Sequence, residues 1–461
     1  MRKTRPNLLK QISPPAVANV QGVAGGSRAS KMKKTKFKIL VPIIAVIFTA
    51  ASCGLGPTTG GSKIELVWWK VFDDSSQVGV LVEQFEKANP GVAIKFVQKD
   101  IETYEEELLD ALAAGAGPDI FSIHNDWLPK HKAKMTPASE EIFGLKDLRQ
   151  NFVEVLETDL VSDSQVYALP LAVDVLALFY NKDLFASAGL ALPPATWDEF
   201  VGVIPRFTRL DDQGNFQRSA VALGTADNVN RASDILSLMM LQNGTKIFSL
   251  EKGRAEFVQR VQDSQGKEYI PGARALQFYT QFADPGKDIY TWNNRSSNSI
   301  DAFASGQTAM IFSYSYLRET LAEKAPFLNY AVAKMPQIKG ANLRVNYANY
   351  WAEGVSRQSE NPEMAWKFLK FITDKEVLAT YYEAVKQVSP RLDILDGQIS
   401  DPEIGVFAEN ALSAKSFYKP DSDAVENIFA QMINDVSLRN VSVEDAIRAG
   451  AQKVDLLVRG R

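Results

Sequence analysis

The sequence predicts an α/β protein built as two lobes. Strand-like and helix-like patterns alternate from residue 64 onward. The chain has 461 residues, more than one domain usually holds. Its 46% hydrophobic and 23% charged residues match a globular body with a sizeable core.

Ile64 to Trp69 is apolar, rich in strand formers, and reads as the first strand. Ser75 or Ser76 is placed to cap the next helix, whose apolar face is Val78, Leu81, Val82 and Phe85; Asn89-Pro90-Gly91 stops it. Val92 to Val97 alternates as a second strand, and Tyr104 to Ala114 is a second amphipathic helix ended by Gly115 to Pro118. Asp119 to Ile123 is a third strand. Strand, helix, strand, helix, strand is the signature of a parallel sheet. Ligands bind beyond the carboxyl ends of such strands. That marks Trp69 to Asp74 and His124 to Trp127. Ala168 to Tyr180 is a long apolar run with one acid, Asp174. Thr196 and Glu199 form a capping box. Phe303 to Phe312 reads as a helix end, a turn at Gly306 and a strand. Pro362 to Thr373 reads as a helix burying Ala365, Phe368, Leu369 and Ile372.

The net charge of −4 hides a split. Residues 1–52 hold ten Lys or Arg and no acid, so the rest carries 41 basic against 55 acidic residues, about −14. An acidic body argues against nucleic acid as a partner, because phosphates need a basic footprint. Lys31 to Lys38 is a basic run, and Ile39 to Ser52 is uncharged and mostly apolar, too short to cross a bilayer. This is a signal-peptide pattern over residues 1–52, with Met32 as a candidate start. Ala50-Ala51-Ser52-Cys53 resembles a bacterial lipobox, which implies lipidation of Cys53; the departure is Ala50, where Leu is usual. Residues 53–62 have a flexible-linker composition. Cys53 is the one cysteine, so neither an internal disulfide nor a cysteine zinc cluster can form. No metal and no cofactor is expected.

Six segments in order, Leu66 to Val97, Ala113 to Ile120, Tyr167 to Phe200, Phe303 to Tyr316, Gly354 to Ile372 and the helical stretch after Ser389-Pro390-Arg391, resemble the family 1 extracellular solute-binding proteins. The resemblance covers nearly all of residues 63–455. It implies a two-lobe periplasmic-binding-protein-like fold of type II with a hinge, and a ligand held between the lobes. The first lobe would be 63–172 plus 340–387 and the second 175–338 plus 388–461. The crossings would lie near Ala172-Val173, Lys339 and Val388. A monomer that passes a sugar to ABC permease subunits is implied, anchored outside the cytoplasm through Cys53.

Sugars offer C–H faces to aromatic rings and hydroxyls to paired donors and acceptors. Trp69 and Asp74 at the end of the first strand are candidates, although Asp73 or Asp74 could equally cap a helix. His124, Asn125, Asp126 and Trp127 follow the third strand, where relatives bond hydroxyls and stack on a ring. His124 and His131 are a poor metal pair. Asp174, at the inferred crossing, is expected to contact the ligand; the alternative is a structural hinge hydrogen bond. Trp292, Ser313, Tyr314 and Tyr316 are further candidates, as are Tyr350 and Trp351, whose bulk suggests a ligand smaller than a long oligosaccharide. Arg391 could donate to a hydroxyl. Trp197 and Trp366 read as core. The rivals are the same fold holding a peptide, polyamine or glycerol-phosphate-type ligand, and a secreted glycoside hydrolase. No G-x-S-x-G, Walker lysine or H-E-x-x-H is present.

Overall fold

The computed structural model describes residues 63–459. The basic and apolar runs, Cys53 and the linker lie outside the described residues. Among the described residues no helix is long and apolar enough to cross a membrane.

β1 (Ile64–Val71), α1 (Ser75–Ala88), β2 (Val92–Lys99), α2 (Tyr104–Ala113) and β3 (Ile120–His124) follow in the expected order. β1 pairs in parallel with β2 and β3, as helical crossovers require. α1 buries Val78, Leu81 and Phe85. Its cap is Asp74 rather than a serine. The Asp74 carboxylate accepts from the Ser76 and Gln77 amides at 2.8 and 3.1 Å, and Gln77 accepts from the Asp74 amide at 2.9 Å. Asp and Ser are similar caps, and the reciprocal bond to Gln77 decides between them.

After α3 (Val155–Leu160) the apolar run breaks up. Ala168–Leu169 stays with the first body, and β4 (Asp174–Val175) and β5 (Ala177–Asn181) lead into the second. There follow α4 (Trp197–Phe207), β6 (Phe216–Val221), α5 (Ala232–Gln242), β7 (Thr308–Ser313) and β8 (Tyr330–Ala333). β6 is parallel to β7, while β7 and β8 flank β5 antiparallel. Thr196 caps α4 by accepting from the Glu199 amide at 3.3 Å, but Glu199 reaches the Ala195 amide at 2.8 Å, one residue away from a reciprocal box. Gly306 turns into β7 with φ +73°, a backbone that glycine adopts without strain.

β9 (Asn346–Asn349) and β10 (Trp351–Ser356) bring the chain back. β10 runs antiparallel to β3, so the expected parallel sheet is mixed. The reason is its route: it returns from the other body instead of through a crossover helix. Gly354 lets neighbouring segments close on it, since a Cβ there would sit 2.1 Å from Met135 Cε. α6 (Pro362–Ile372) and α7 (Lys375–Ala384) pack on α1. Finally β11 (Ala414–Lys415), α8 (Ser422–Arg439) and α9 (Val443–Arg459) join the second body.

A small sheet of β11, β9 and β4 lies between the two bodies. The Val173 amide donates to the Val388 carbonyl at 3.0 Å beside it. The return passage falls at β9 and not near Lys339. Residues 337–345 are still bonded to the second body, through the Gln337 amide to Ala195 at 3.0 Å and Gln242 Nε2 to Val345 at 3.1 Å. Trp197 and Trp366 are both buried in the core, with indoles donating to Gln242 and to the Thr136 carbonyl.

Candidate functional site

A cavity of about 520 Å³ opens between the two bodies. The first body contributes the end of β1, the loop after β3 and the start of β10. The second contributes Arg231, Ser315, Tyr316 and the first turn of α8.

The aromatic wall belongs to the first body. Trp351 meets Phe72 and Trp127 edge-on, with ring centres 5.9 and 5.1 Å apart. Phe72 has φ 69°, a left-handed backbone that is unusual for a bulky residue, and Arg231 across the cavity has φ 62°. Such a conformation costs on the order of 1–3 kcal/mol and persists only where the surroundings enforce it. Behind the wall, Lys70 is buried with Glu353 at 2.8 Å and Asp73 at 3.1 Å. Burial alone would lower the lysine pKa, but the two carboxylates raise it. Glu353 also accepts from the Trp68 indole at 2.8 Å.

His124 Nδ1 faces Asp126 at 2.7 Å and Nε2 faces the Asn349 side-chain oxygen at 3.3 Å, so both nitrogens oppose acceptors. Burial opposes protonation of this ring, and Asp126 overcomes it, raising the histidine pKa. Asp126 also ties the two bodies. The Ser422 hydroxyl at the start of α8 lies 3.0 Å from it and accepts from the Trp127 indole at 3.3 Å.

In the second body, Lys419 is buried against Glu426 at 2.8 Å, with Asp126 at 3.8 Å and Asp234 at 3.9 Å. The Arg231 guanidinium lies beside the rings of Tyr314 and Tyr316, 3.8 Å from Asp234. The Tyr316 hydroxyl donates to Asn230 at 2.9 Å.

Of the residues marked from sequence, His124, Trp127, Asp174, Tyr316, Tyr350 and Trp351 line the cavity. Asp174 does so with its carboxylate already engaged. It accepts from the Ser315 hydroxyl at 2.8 Å, from the Ser315 amide at 3.0 Å and from its neighbour's amide at 2.8 Å. Burial still pushes its pKa up to about 6. The hinge-bond alternative describes these contacts. Asn125 and Asp126 sit one layer behind. Asn125 donates to Asp159, which also accepts from Tyr350 at 2.8 Å and from Ser416.

The other candidates lie elsewhere. Trp69 is on the opposite face of β1 from the buried Trp68, under the Lys99 ammonium at 4.0 Å. Asp74 is occupied as the α1 cap. Trp292 is buried and donates to Asn228 at 3.1 Å. Ser313 is fully buried in β7, and buried Tyr314 donates to Asp234 at 2.9 Å. Arg391 grips Asp393 and the Thr373 carbonyl. Sequence reasoning missed Lys70, Phe72, Arg231, Asn349, Ser422 and Glu426. Lys70 and Phe72 fell inside a marked segment; the rest carried no local signal.

Residues 80–406 match the sequence profile of a family described as bacterial extracellular solute-binding protein. A binding protein of Brucella abortus (strain 2308) is 23% identical over 398 residues, 84% of this chain and 92% of its own. The galactooligosaccharide-binding protein of Bacillus subtilis (strain 168) is 25% identical over 364 residues, 78% of this chain and 81% of its own. In structure, the sugar-binding protein MalE from Xanthomonas citri aligns with a TM-score of 0.72 at 21% identity, over 86% of this chain and 98% of that one. The fold is thus the two-lobe type II arrangement of periplasmic binding proteins.

Proposed function

This chain belongs to the family of bacterial extracellular solute-binding proteins, and from that premise we propose that its cleft captures a sugar outside the cytoplasm for an ABC permease. One observation carries the reading. The cavity of about 520 Å³ between the bodies pairs the aromatic wall of Phe72, Trp127 and Trp351 with hydrogen-bonding side chains from both sides. Rings stack on the C–H faces of a pyranose, and polar groups fix its hydroxyls. Two relatives named for galactooligosaccharide and maltodextrin binding support the same class.

The test is a thermal-shift screen over mono- and oligosaccharides, followed by calorimetric titration. A sugar that binds raises the melting temperature by mass action. Trp351→Ala should then lose at least about 2 kcal/mol of affinity, as a central aromatic anchor does. A chain stabilised by another solute and by no saccharide would overturn the reading.

Delivery follows from closure of the bodies about the β4, β9 and β11 sheet, with 63–172 plus 350–387 and 175–345 plus 388–461 as the lobes. Small-angle scattering should show a smaller radius of gyration with saturating sugar. Acylation of Cys53 would hold the monomer at the membrane near its permease. Labelled palmitate in a bacterial host should mark the wild type and not Cys53→Ser.

A further inference from the structure

We propose that the sugar this cleft prefers carries a protonated amine, as a hexosamine or a short oligosaccharide of hexosamines. The proposal rests on the saccharide reading above and refines it.

The cations lining the cavity have carboxylate partners within the protein. Lys70 has Glu353 and Asp73. Arg318 has Glu403 at 3.0 Å, and Lys386 has Asp401 at 3.5 Å. Arg231 has Asp234 at 3.8 Å. The carboxylates are not matched in the same way. Glu102 and Glu106 on the first body and Asp423 on the second line the same cavity, and no ion pair or side-chain hydrogen bond engages them among the described residues. An anionic sugar would meet these acids and find no unmatched cation.

The acids come from both sides of the cavity. Asp423 is in the first turn of α8, and Glu105 and Glu106 are in the first turn of α2. First-turn acids favour a helix by themselves. That role does not require two helices of different bodies to aim their acids into one cavity. Burial raises the proton affinity of Asp423; Glu426, Asp421 and Glu105 raise it further, the last from across the cleft, and Lys419 opposes them. Closing the bodies therefore brings like charges together, and a cation between them removes that penalty.

Phe72, Trp127 and Trp351 line the cavity, and aromatic rings suit a pyranose and also attract a cation. A ring that bears an ammonium group uses both properties. A bare metal ion has no C–H face to stack, and the described residues contain no group of three or more metal-ligating side chains.

The experiment is calorimetric titration of the full chain at about neutral pH, where the amine is protonated and the acids are ionised. Glucosamine, galactosamine, mannosamine and a glucosamine disaccharide are each paired with their N-acetyl forms, with maltose, galacturonate and spermidine as further arms. At least one amine should bind roughly 10-fold more tightly than its N-acetyl partner, the scale of one charge-assisted hydrogen bond. Added salt should shrink the gap. Asp423→Asn should shrink it too, and its melt confirms folding. If N-acetyl, neutral or acidic sugars bind as tightly or more tightly, the amine proposal falls and the saccharide reading survives. If spermidine binds and no saccharide does, or if nothing saccharide binds at all, both fall.

Discussion

Each body buries a lysine, and the two are housed differently. Lys70, in the first, lies 2.8 and 3.1 Å from two carboxylates, and Glu353 also holds the Trp68 indole and the Ser122 hydroxyl. Every group there is bonded within one body. Lys419, in the second, has one close partner in Glu426; its other carboxylates stand 3.8 and 3.9 Å away, and one of them, Asp126, belongs to the opposite body. Asp234 keeps one buried oxygen without a hydrogen bond. The same pair of charge types thus does two jobs. Short, saturated pairing rigidifies a sheet, while longer and incomplete pairing across a passage couples two bodies and can respond to movement or to a ligand.

Glu353→Ala probes the saturated cluster and should have the largest effect. It leaves Lys70 with Asp73 alone and strands the Trp68 indole in a dry interior, so urea unfolding should show a loss of about 3–5 kcal/mol. A loss no larger than that of an exposed ion pair would break the contrast between the two clusters.

The pH dependence of Asp159 probes the passage. Burial pushes this carboxyl up to about 6, against its bonds from Ser416, Tyr350 and Asn125. The native state holds the proton more tightly than the unfolded chain, whose carboxyl titrates near 4. Ionising it therefore subtracts stability. The penalty is absent below about pH 4, grows through the window and reaches about 3 kcal/mol above about pH 6. Asp159→Asn should gain on the wild type by that amount as pH rises through the window. A difference constant with pH would show that the carboxyl titrates alike in the folded and the unfolded chain.

Asp126→Asn sharpens the coupling argument. It weakens the ties to Ser422, Lys419 and His124 and should lower stability by about 1–3 kcal/mol. It should also weaken binding of any ligand that needs the closed form, which titration would detect. Intact binding would mean that Asp126 serves one body only.

The smallest effect is expected from Asp174→Asn. Its oxygens are filled by Ser315 and by the Val175 amide, so ligand affinity should move by less than about 1 kcal/mol. A larger loss would put the ligand on this carboxylate.

Much of the first body was legible because local patterns decide it. β1 through β3 and the buried faces of α1 and α6 follow from apolar spacing, and Trp197 and Trp366 from their place in helices. The cleft was legible in part. His124, Trp127 and Trp351 stand beside strand ends, where backbone geometry points side chains toward the opening. Tyr314 and Trp292 misled because an aromatic near a turn looks the same whether it faces a cavity or a core. Arg231 and Glu426 were invisible because nothing local distinguishes them.

The sequence by itself determined the α/β class, the order of the first elements, the acidic body and the likeness to solute-binding proteins, since each rests on spacing and composition within a short window. Only the tertiary structure decided that Asp174 bonds Ser315, that Asp126 reaches Ser422, and that Arg231 and Phe72 meet one cavity across 159 positions of chain. The physical reason is that hydrogen bonding and burial depend on neighbours in space, and here those neighbours come from crossings between two bodies that no local period encodes.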